Sequence, residues 1–237
     1  MNQLILNNCN TIFPIISDQS CDAIIIDPPY EIQYETQYNS FQWNDNKILD
    51  WNFLFTQYKR ILKNTGNLII FQGWSNVCET INIGKQYFML KNWIIWARIK
   101  CRDAKTNFGS DREDILWFNK SNNYTFNKIY SNTPKKTGGL GLKNGQKNRS
   151  LTNVWYDLSP VVPWSQEYTS YPCQKPIQLM ERIITIFTNP GDLILDSFCG
   201  SGSTLIAAKN LGRNYIGIDN NPEAIKICEN RLNACHI

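Results

Sequence analysis

The chain has 237 residues, with 24 Lys+Arg against 20 Asp+Glu and a formal net charge of +4. A chain this long buries roughly 70–75% of its unfolded surface, and with 42% hydrophobic and 19% charged residues it is neither disordered nor fibrous. No apolar run reaches the ~18–20 residues of a membrane span and the polar start, Met1-Asn2-Gln3, lacks a signal peptide, so a soluble, reduced, cytoplasmic protein with no membrane partner is expected.

In chain order, Gln3–Leu6 and Cys21–Ile26 read as strands separated by a short helical stretch. Asp50–Leu62 carries apolar or aromatic residues at 51, 54, 55, 58, 61 and 62, a helical face. Asn67–Phe71 reads as a strand, Ser75–Tyr87 as a helix, and Trp93–Ile99 and Asp114–Phe118 as further strands. Periodicity then stops, and residues 131–150 form a long Gly/Lys/Asn stretch of the kind that serves function in compact domains. It resumes with a helix over Lys175–Thr188, a strand over Asp192–Asp196, a helix over Ser203–Leu211, a strand over Asn214–Asp219 and a helix over Pro222–Leu232. Strands alternating with helices predict an α/β fold with a mostly parallel sheet.

Charge is unevenly placed. Between Arg98 and Arg149 stand twelve Lys/Arg and four Asp/Glu, a local +8, so the remainder carries −4. The stretch is either a solvated basic loop or a phosphate-facing surface. The eight cysteines form no C-x-x-C pair and the single histidine is His236, so no metal site and no histidine catalysis are expected.

Two motifs carry chemistry. Phe198-Cys199-Gly200-Ser201-Gly202 follows a strand and opens a helix, where glycine lets backbone approach a ligand and free N–H groups face it. Asp219, seventeen positions beyond Gly202 at the tip of the next strand, stands where carboxylates grip ribose hydroxyls. The third glycine of the dinucleotide pattern would fall at Leu205, so an adenosyl ligand without pyrophosphate fits better than NAD. A turn that needs glycine for its shape alone is the bland alternative. Only 35 residues follow Gly202, so the rest of the sheet must come from the preceding chain.

The second motif is Asp27-Pro28-Pro29-Tyr30, directly after the apolar run Ala23–Ile26. An exocyclic amine is a poor nucleophile because its lone pair is delocalised into the ring. Asp27 offers a carboxylate and Pro28 a carbonyl to accept both amino hydrogens, and Tyr30 offers a stacking face for an extruded base. A buried strand ending in a stiff loop would give the same four residues.

These motifs resemble those of the β-class amino DNA methyltransferases of restriction–modification systems. Asp27–Tyr30 looks like their catalytic motif and Asp196–Gly202 like their cofactor motif, in the permuted order that defines the class. Arg112–Phe118 with Lys120, Asn153-Val154-Trp155 and Pro172-Cys173-Gln174-Lys175-Pro176 extend the likeness. The resemblance implies a Rossmann-like S-adenosylmethionine-dependent fold with catalytic residues Asp27, Pro28, Pro29 and Tyr30. It implies a cofactor pocket of Asp196, Phe198, Gly200, Gly202 and Asp219, with Lys175 approaching the cofactor. Asn7-Asn8 replace the family's Gly-Asp, and Asn8 can still hydrogen-bond the cofactor's adenine; Tyr171 replaces a histidine.

Residues 1–119 and 171–237 would be the two halves of the methyltransferase domain and 120–170 the target-recognition region. There Lys135, Lys136, Lys143, Lys147 and Arg149 would contact the phosphates of double-stranded DNA, or any of them could instead reach a guanine edge. Trp155, Trp164 and Tyr168 read as core or loop anchors, and Phe108, after Asn107, either as an anchor or as a residue near the flipped base. The expected reaction is methylation of adenine N6; cytosine N4, a non-catalytic DNA-binding subunit, and methylation of RNA or of a protein amide are the alternatives. A homodimer and a cognate restriction endonuclease are further partners that the resemblance raises.

Overall fold

Uninterrupted apolar runs such as Ala23–Ile26 and Leu68–Phe71 can be satisfied only by burial on both faces, and they become the middle of one sheet. A computed structural model of the chain describes residues 2–30, 35–38, 41–44, 49–98, 106, 108–134 and 147–234. In chain order the elements are β1 (Asn2–Leu6), α1 (Cys9–Ile12), β2 (Cys21–Ile26), β3 (Glu35–Tyr38), β4 (Phe41–Asn44), α2 (Trp51–Ile61), β5 (Leu62–Gln72), α3 (Val77–Gly84), β6 (Met89–Ala97) and β7 (Arg112–Asn119). After these come β8 (Tyr130–Pro134), β9 (Asn148–Ser150), β10 (Val154–Trp155), α4 (Ile177–Phe187), β11 (Leu193–Asp196), α5 (Ser203–Asn210), β12 (Asn214–Asp219) and α6 (Pro222–Ala234).

Eight strands form the main sheet in the order β1-β12-β11-β2-β5-β7-β6-β10. Neighbours from β1 through to β5 are parallel, β7 is antiparallel to both β5 and β6, and β10 is parallel to β6. Alternation along the strands sends Ala23, Ile25, Ile69 and Phe71 to a core shared with α4, α5 and α6. Ile24, Ile26, Leu68 and Ile70 go to a second core with Phe13, Leu54, Phe55, Tyr58 and Ile61. The sheet is therefore covered on both faces, the doubly wound arrangement.

Strand order fixes where a ligand can sit. The chain leaves β11 through α5 toward β12, and leaves β2 through α2 toward β5, in opposite directions. The crevice beyond the carboxyl ends of β11 and β2 is thus the topological switch point of the sheet. Asp196 ends β11, and Asp27 follows β2.

Most predicted elements are present, with several differences: β6 starts at Met89 and not Trp93, and the short β10 was not expected. β5 begins at Leu62, directly at the end of α2, so it is longer than Asn67–Phe71. α3 ends at Gly84, not Tyr87; a Cβ there would lie 2.9–3.0 Å from Phe118 and Phe55, so glycine lets the helix end pack on them. Within the aperiodic stretch, β8 and β9 pair as an antiparallel ribbon, and a second ribbon joins β3 and β4. The β8–β9 ribbon does not alternate apolar with polar residues and left no strand signal, whereas β4, Phe41-Gln42-Trp43-Asn44, does alternate but over only four residues. Lys135, Lys136, Lys143 and Asn107 lie outside the described residues.

The start of the aperiodic stretch is tied to the sheet by one buried amide. Asn67 Nδ2 donates to the carbonyls of Thr125 and Phe187 (both 2.9 Å), while its Oδ1 accepts from Trp117 Nε1 (2.8 Å) and Asn119 Nδ2 (2.6 Å). Replacing Asn67 by alanine leaves four buried groups to find new partners. Asn67→Ala is expected to lower stability by about 3 kcal/mol, read as a lower urea midpoint with an unchanged slope.

Candidate active site

The prolines after β2 stop the strand and leave Asp27 at the switch point with its side chain a quarter exposed. Both carboxylate oxygens have partners. Oδ1 accepts from the Tyr30 hydroxyl (2.6 Å), and Oδ2 accepts from the Lys175 ammonium. Tyr30 is held in turn by the loop after β5. Asn76 Nδ2 donates to its carbonyl (2.7 Å), and a Cβ on Gly73 would stand 3.4 Å from its ring. Burial, then the charges of Asp27 and Glu113, raise the Tyr30 phenol well above its ordinary range, so it remains a donor. Trp74, 64% exposed, sits on the same loop at the rim.

Lys175 reaches the site from the other end of the sequence. Its loop is stitched by Gln174, which accepts from Thr169 N (3.0 Å) and Oγ1 (2.7 Å) and donates to the Glu167 carbonyl (2.6 Å). Ser203 Oγ at the start of α5 donates to the Lys175 carbonyl (2.7 Å), and Cys173 adopts a left-handed backbone, φ +59°. The side chain is only 7% exposed, with Nζ 3.2 Å from Glu113 Oε2 and 5.2 Å from the Phe71 ring centroid. Burial pulls the ammonium down, but the carboxylates of Asp27 and Glu113, with Cys173, outweigh it and hold its pKa above the ordinary lysine range. Glu113 arrives because β7 runs antiparallel: its amino-terminal residues pair with Trp96 and Gln72 at the edge where the parallel strands end. Arg98 NH1 donates to Glu113 Oε1 (3.2 Å).

The glycine turn lies across the crevice. Gly200 and Gly202 have φ of +49° and +85°. A Cβ on Gly200 would meet the Tyr171 ring at 2.9 Å, and one on Gly202 would meet Cys228 Sγ at 2.2 Å. Asp219 at the end of β12 accepts from Gly200 N (2.8 Å) and Asn221 N (2.9 Å), fixing the turn against the neighbouring strand. Asp196 accepts from Phe198 N (3.1 Å) and is buried. Burial raises its pKa to about 7, against the lowering effect of hydrogen bonds from Thr204 and Phe198, with Asp27 and Asp219 adding to the rise. Ser197 shares a hydrogen bond with the buried Tyr58 hydroxyl (2.7 Å).

The sequence-predicted residues therefore meet at one edge: Asp27, Tyr30 and Lys175 in direct contact, with Asp196, Phe198, Gly200, Gly202 and Asp219 at the neighbouring strand ends. Asn8 lies beyond β1, whose last residue pairs with Asp219; it is exposed and its Oδ1 caps α1 through Asn10 N (2.9 Å). Lys175, expected at the cofactor, places its ammonium on Asp27. Of the aromatic anchors, Trp155 is buried but Trp164 is exposed, and Phe108 is 96% exposed, so it does not anchor to the core. Arg149 lies in β9 and Lys147 immediately before it, on the exposed ribbon. The contact of Tyr171 with Gly200 and the place of Trp74 on the loop after β5 gave no sequence signal beyond their residue types, whereas Glu113 lies in the Arg112–Phe118 motif with nothing there to mark it as the second carboxylate at Lys175. Among the described residues no cluster of three or more His, Cys, Asp or Glu could hold a metal, and no helix is long and apolar enough to cross a membrane.

A family model described as DNA methylase matches residues 21–230. The chain belongs to the DNA methylase family. This DNA methylase is 34% identical over 229 residues to the DNA adenine methyltransferase YhdJ of Escherichia coli, covering 92% of this chain and 78% of the relative. It is 32% identical to the type II methyltransferase M1.MboII of Moraxella bovis, covering 100% and 98% of the two chains. Among solved structures, the M1.HpyAVI–SAM complex superposes with a TM-score of 0.69 at 29% identity, covering 98% of this chain and 100% of the other. PvuII DNA methyltransferase, cytosine-N4-specific, shares the fold with a TM-score of 0.73 at 18% identity, covering 100% and 88%.

The turn of the DNA methylase tests its own geometry. Gly202→Ala combines a left-handed backbone with overlap on Cys228 and is expected to cost about 2–5 kcal/mol in thermal unfolding. Gly191→Ala is the control: φ is +87° but nothing lies within 4 Å of its Cβ position, so only the conformational part, about 1 kcal/mol, is expected.

Proposed function

We propose that the chain transfers a methyl group from S-adenosylmethionine to the N6 amine of an adenine rotated out of duplex DNA. The observation that carries this reading is the Asp27 carboxylate at the switch point, held by Tyr30 and Lys175 beside the glycine turn. A carboxylate fixed there accepts an amino hydrogen, and the Pro28 carbonyl on its rigid backbone supplies the second acceptor. With both hydrogens held, the nitrogen can pyramidalise and aim its lone pair. Pro29 stiffens the loop, and Tyr30 and Trp74 offer aromatic faces to the base.

S-adenosylmethionine, when bound, supplies a methyl on a cationic sulfur. The crevice suits it: the turn around Gly200 and Gly202 leaves no room for Cβ atoms, and Asp219 retains acceptor capacity for hydroxyls. Asp196, Phe198, Gly200, Gly202 and Asp219 would hold it, with Asn8 beyond β1 toward the adenine and Lys175 ordering the boundary between cofactor and base. The bound cofactor in the M1.HpyAVI complex supports the assignment.

Adenine is favoured by Asp, not Ser, before Pro-Pro-Tyr, and by the name of the Escherichia coli relative. Residues 120–170 would read the target, with Lys135, Lys136, Lys143, Lys147 and Arg149 on phosphates, between the two halves 1–119 and 171–237 of the methyltransferase domain. A homodimer and a cognate restriction endonuclease complete the proposal.

Incubation of duplex DNA with methyl-labelled cofactor, followed by nucleoside identification, is expected to give N6-methyladenine; N4-methylcytosine alone would overturn the adenine reading. Asp27→Ala should abolish transfer while cofactor binding, read by calorimetry, is retained, and a variant with wild-type turnover would refute the role of Asp27.

Asp196 gives a pH signature. Its pKa near 7 means that much of it is protonated below neutrality, and a nearby sulfonium favours the ionised form. Cofactor affinity should therefore rise as pH increases toward about 7 and level off above it, with proton release in calorimetry, while the product, whose sulfur carries no charge, shows a weaker pH dependence.

A further inference from the structure

In the reading above, the Asp27 carboxylate must accept an amino hydrogen, yet Oδ1 already accepts from Tyr30 and Oδ2 from the Lys175 ammonium, whose charge weakens the acceptor lone pair that remains on Oδ2. An amine that is being methylated gains positive charge, and an ammonium held on the same carboxylate opposes it. Lys175 is buried and cannot swing out to water, so it needs a second anion within reach. Glu113 is that anion. Its Oε2 is buried, stands 3.2 Å from Lys175 Nζ, and has no aligned hydrogen-bond donor. Its Oε1 is anchored by Arg98. One oxygen is thus fixed to the scaffold and the other is open toward Lys175, so a small rotation of the ammonium exchanges one carboxylate for the other.

We propose that Glu113 is a positioning residue that takes the Lys175 ammonium from Asp27 when the target amine is seated, freeing Asp27 Oδ2 to accept from it. The proposal rests on Asp27 as the acceptor of the amine. Arg98 keeps Glu113 from following the ammonium, and the Phe71 and Tyr30 rings, 5.2 and 5.8 Å from Nζ, line its path.

Glu113→Gln keeps the size of the side chain and removes its charge. Calorimetric cofactor binding and DNA binding by anisotropy should stay near wild type, while the single-turnover methylation rate falls about tenfold or more. The pH profile distinguishes positioning from mere packing. The groups facing Lys175 are Asp27, Glu113, Tyr30 and Cys173, with Arg98 behind Glu113. Without the Glu113 charge Lys175 loses its proton at lower pH, and its neutral form releases Asp27. The rate of Glu113→Gln should therefore rise through the alkaline range where wild type is flat.

Glu113→Asp, which keeps the charge, should recover part of the rate. Adding Lys175→Met to Glu113→Gln should cost less than the sum of the two single losses. A wild-type rate in Glu113→Gln, or a loss that is flat with pH and additive with Lys175→Met, overturns the proposal. If Asp27→Ala also methylates normally, the failure lies in the reading of Asp27 and not in Glu113.

Discussion

A lysine ammonium placed on an aspartate 148 residues away in sequence organises this protein. Taking both charges out of water is costly, and the contact persists because every neighbouring element contributes to it. β2 ends at the point where its prolines turn Asp27 outward. The 167–176 loop is closed by Gln174, tied to α5 by Ser203 and strained at Cys173 so that Lys175 turns inward. The antiparallel β7 adds the second carboxylate. The contact therefore joins the part of the chain that carries the acceptor to the part that carries the glycine turn, and the crevice between them is where the two reactants would have to meet.

The crevice is acidic in composition: Asp27 and Glu113 face one buried cation, with Arg98 on the far side of Glu113, and Asp196 and Asp219 stand at the neighbouring strand ends. Burial first, and then the charges of Asp27 and Asp219, raise the pKa of Asp196, and a cationic ligand would favour its ionised form. The basic excess between Arg98 and Arg149, +8 against −4 in the remainder, would answer a different requirement, attraction of a polyanion from a distance.

Local chemistry was legible from residues alone. Asp27–Tyr30 and Phe198–Gly202 announce themselves because prolines after an apolar strand and glycines before a helix have few uses, and both lie at the predicted edge. The order of strands, and hence the switch point, was not readable, because parallel neighbours come from distant parts of the chain. Glu113 was visible as part of a motif, but its role depends on β7 running antiparallel, which decides which end of the strand faces the crevice. Lys175 was placed by resemblance at the cofactor, whereas tertiary packing puts its charge on Asp27. Trp164 was read as an anchor, and Phe108 either as an anchor or as a residue near the flipped base; both are exposed.

The pairing of Pro134 with Asn148 in the β8–β9 ribbon brings the two ends of the intervening stretch side by side. A segment entered and left through adjacent strands makes little mechanical demand on the body that carries it. Doubling its length adds only about 0.6 kcal/mol of closure entropy. The scaffold upstream is secured through Asn67, Trp117 and Asn119, and downstream through Trp155. The ribbon is thus a socket: the stretch between its strands can change in length or sequence while the strands that carry Asp27 and the glycine turn keep their places.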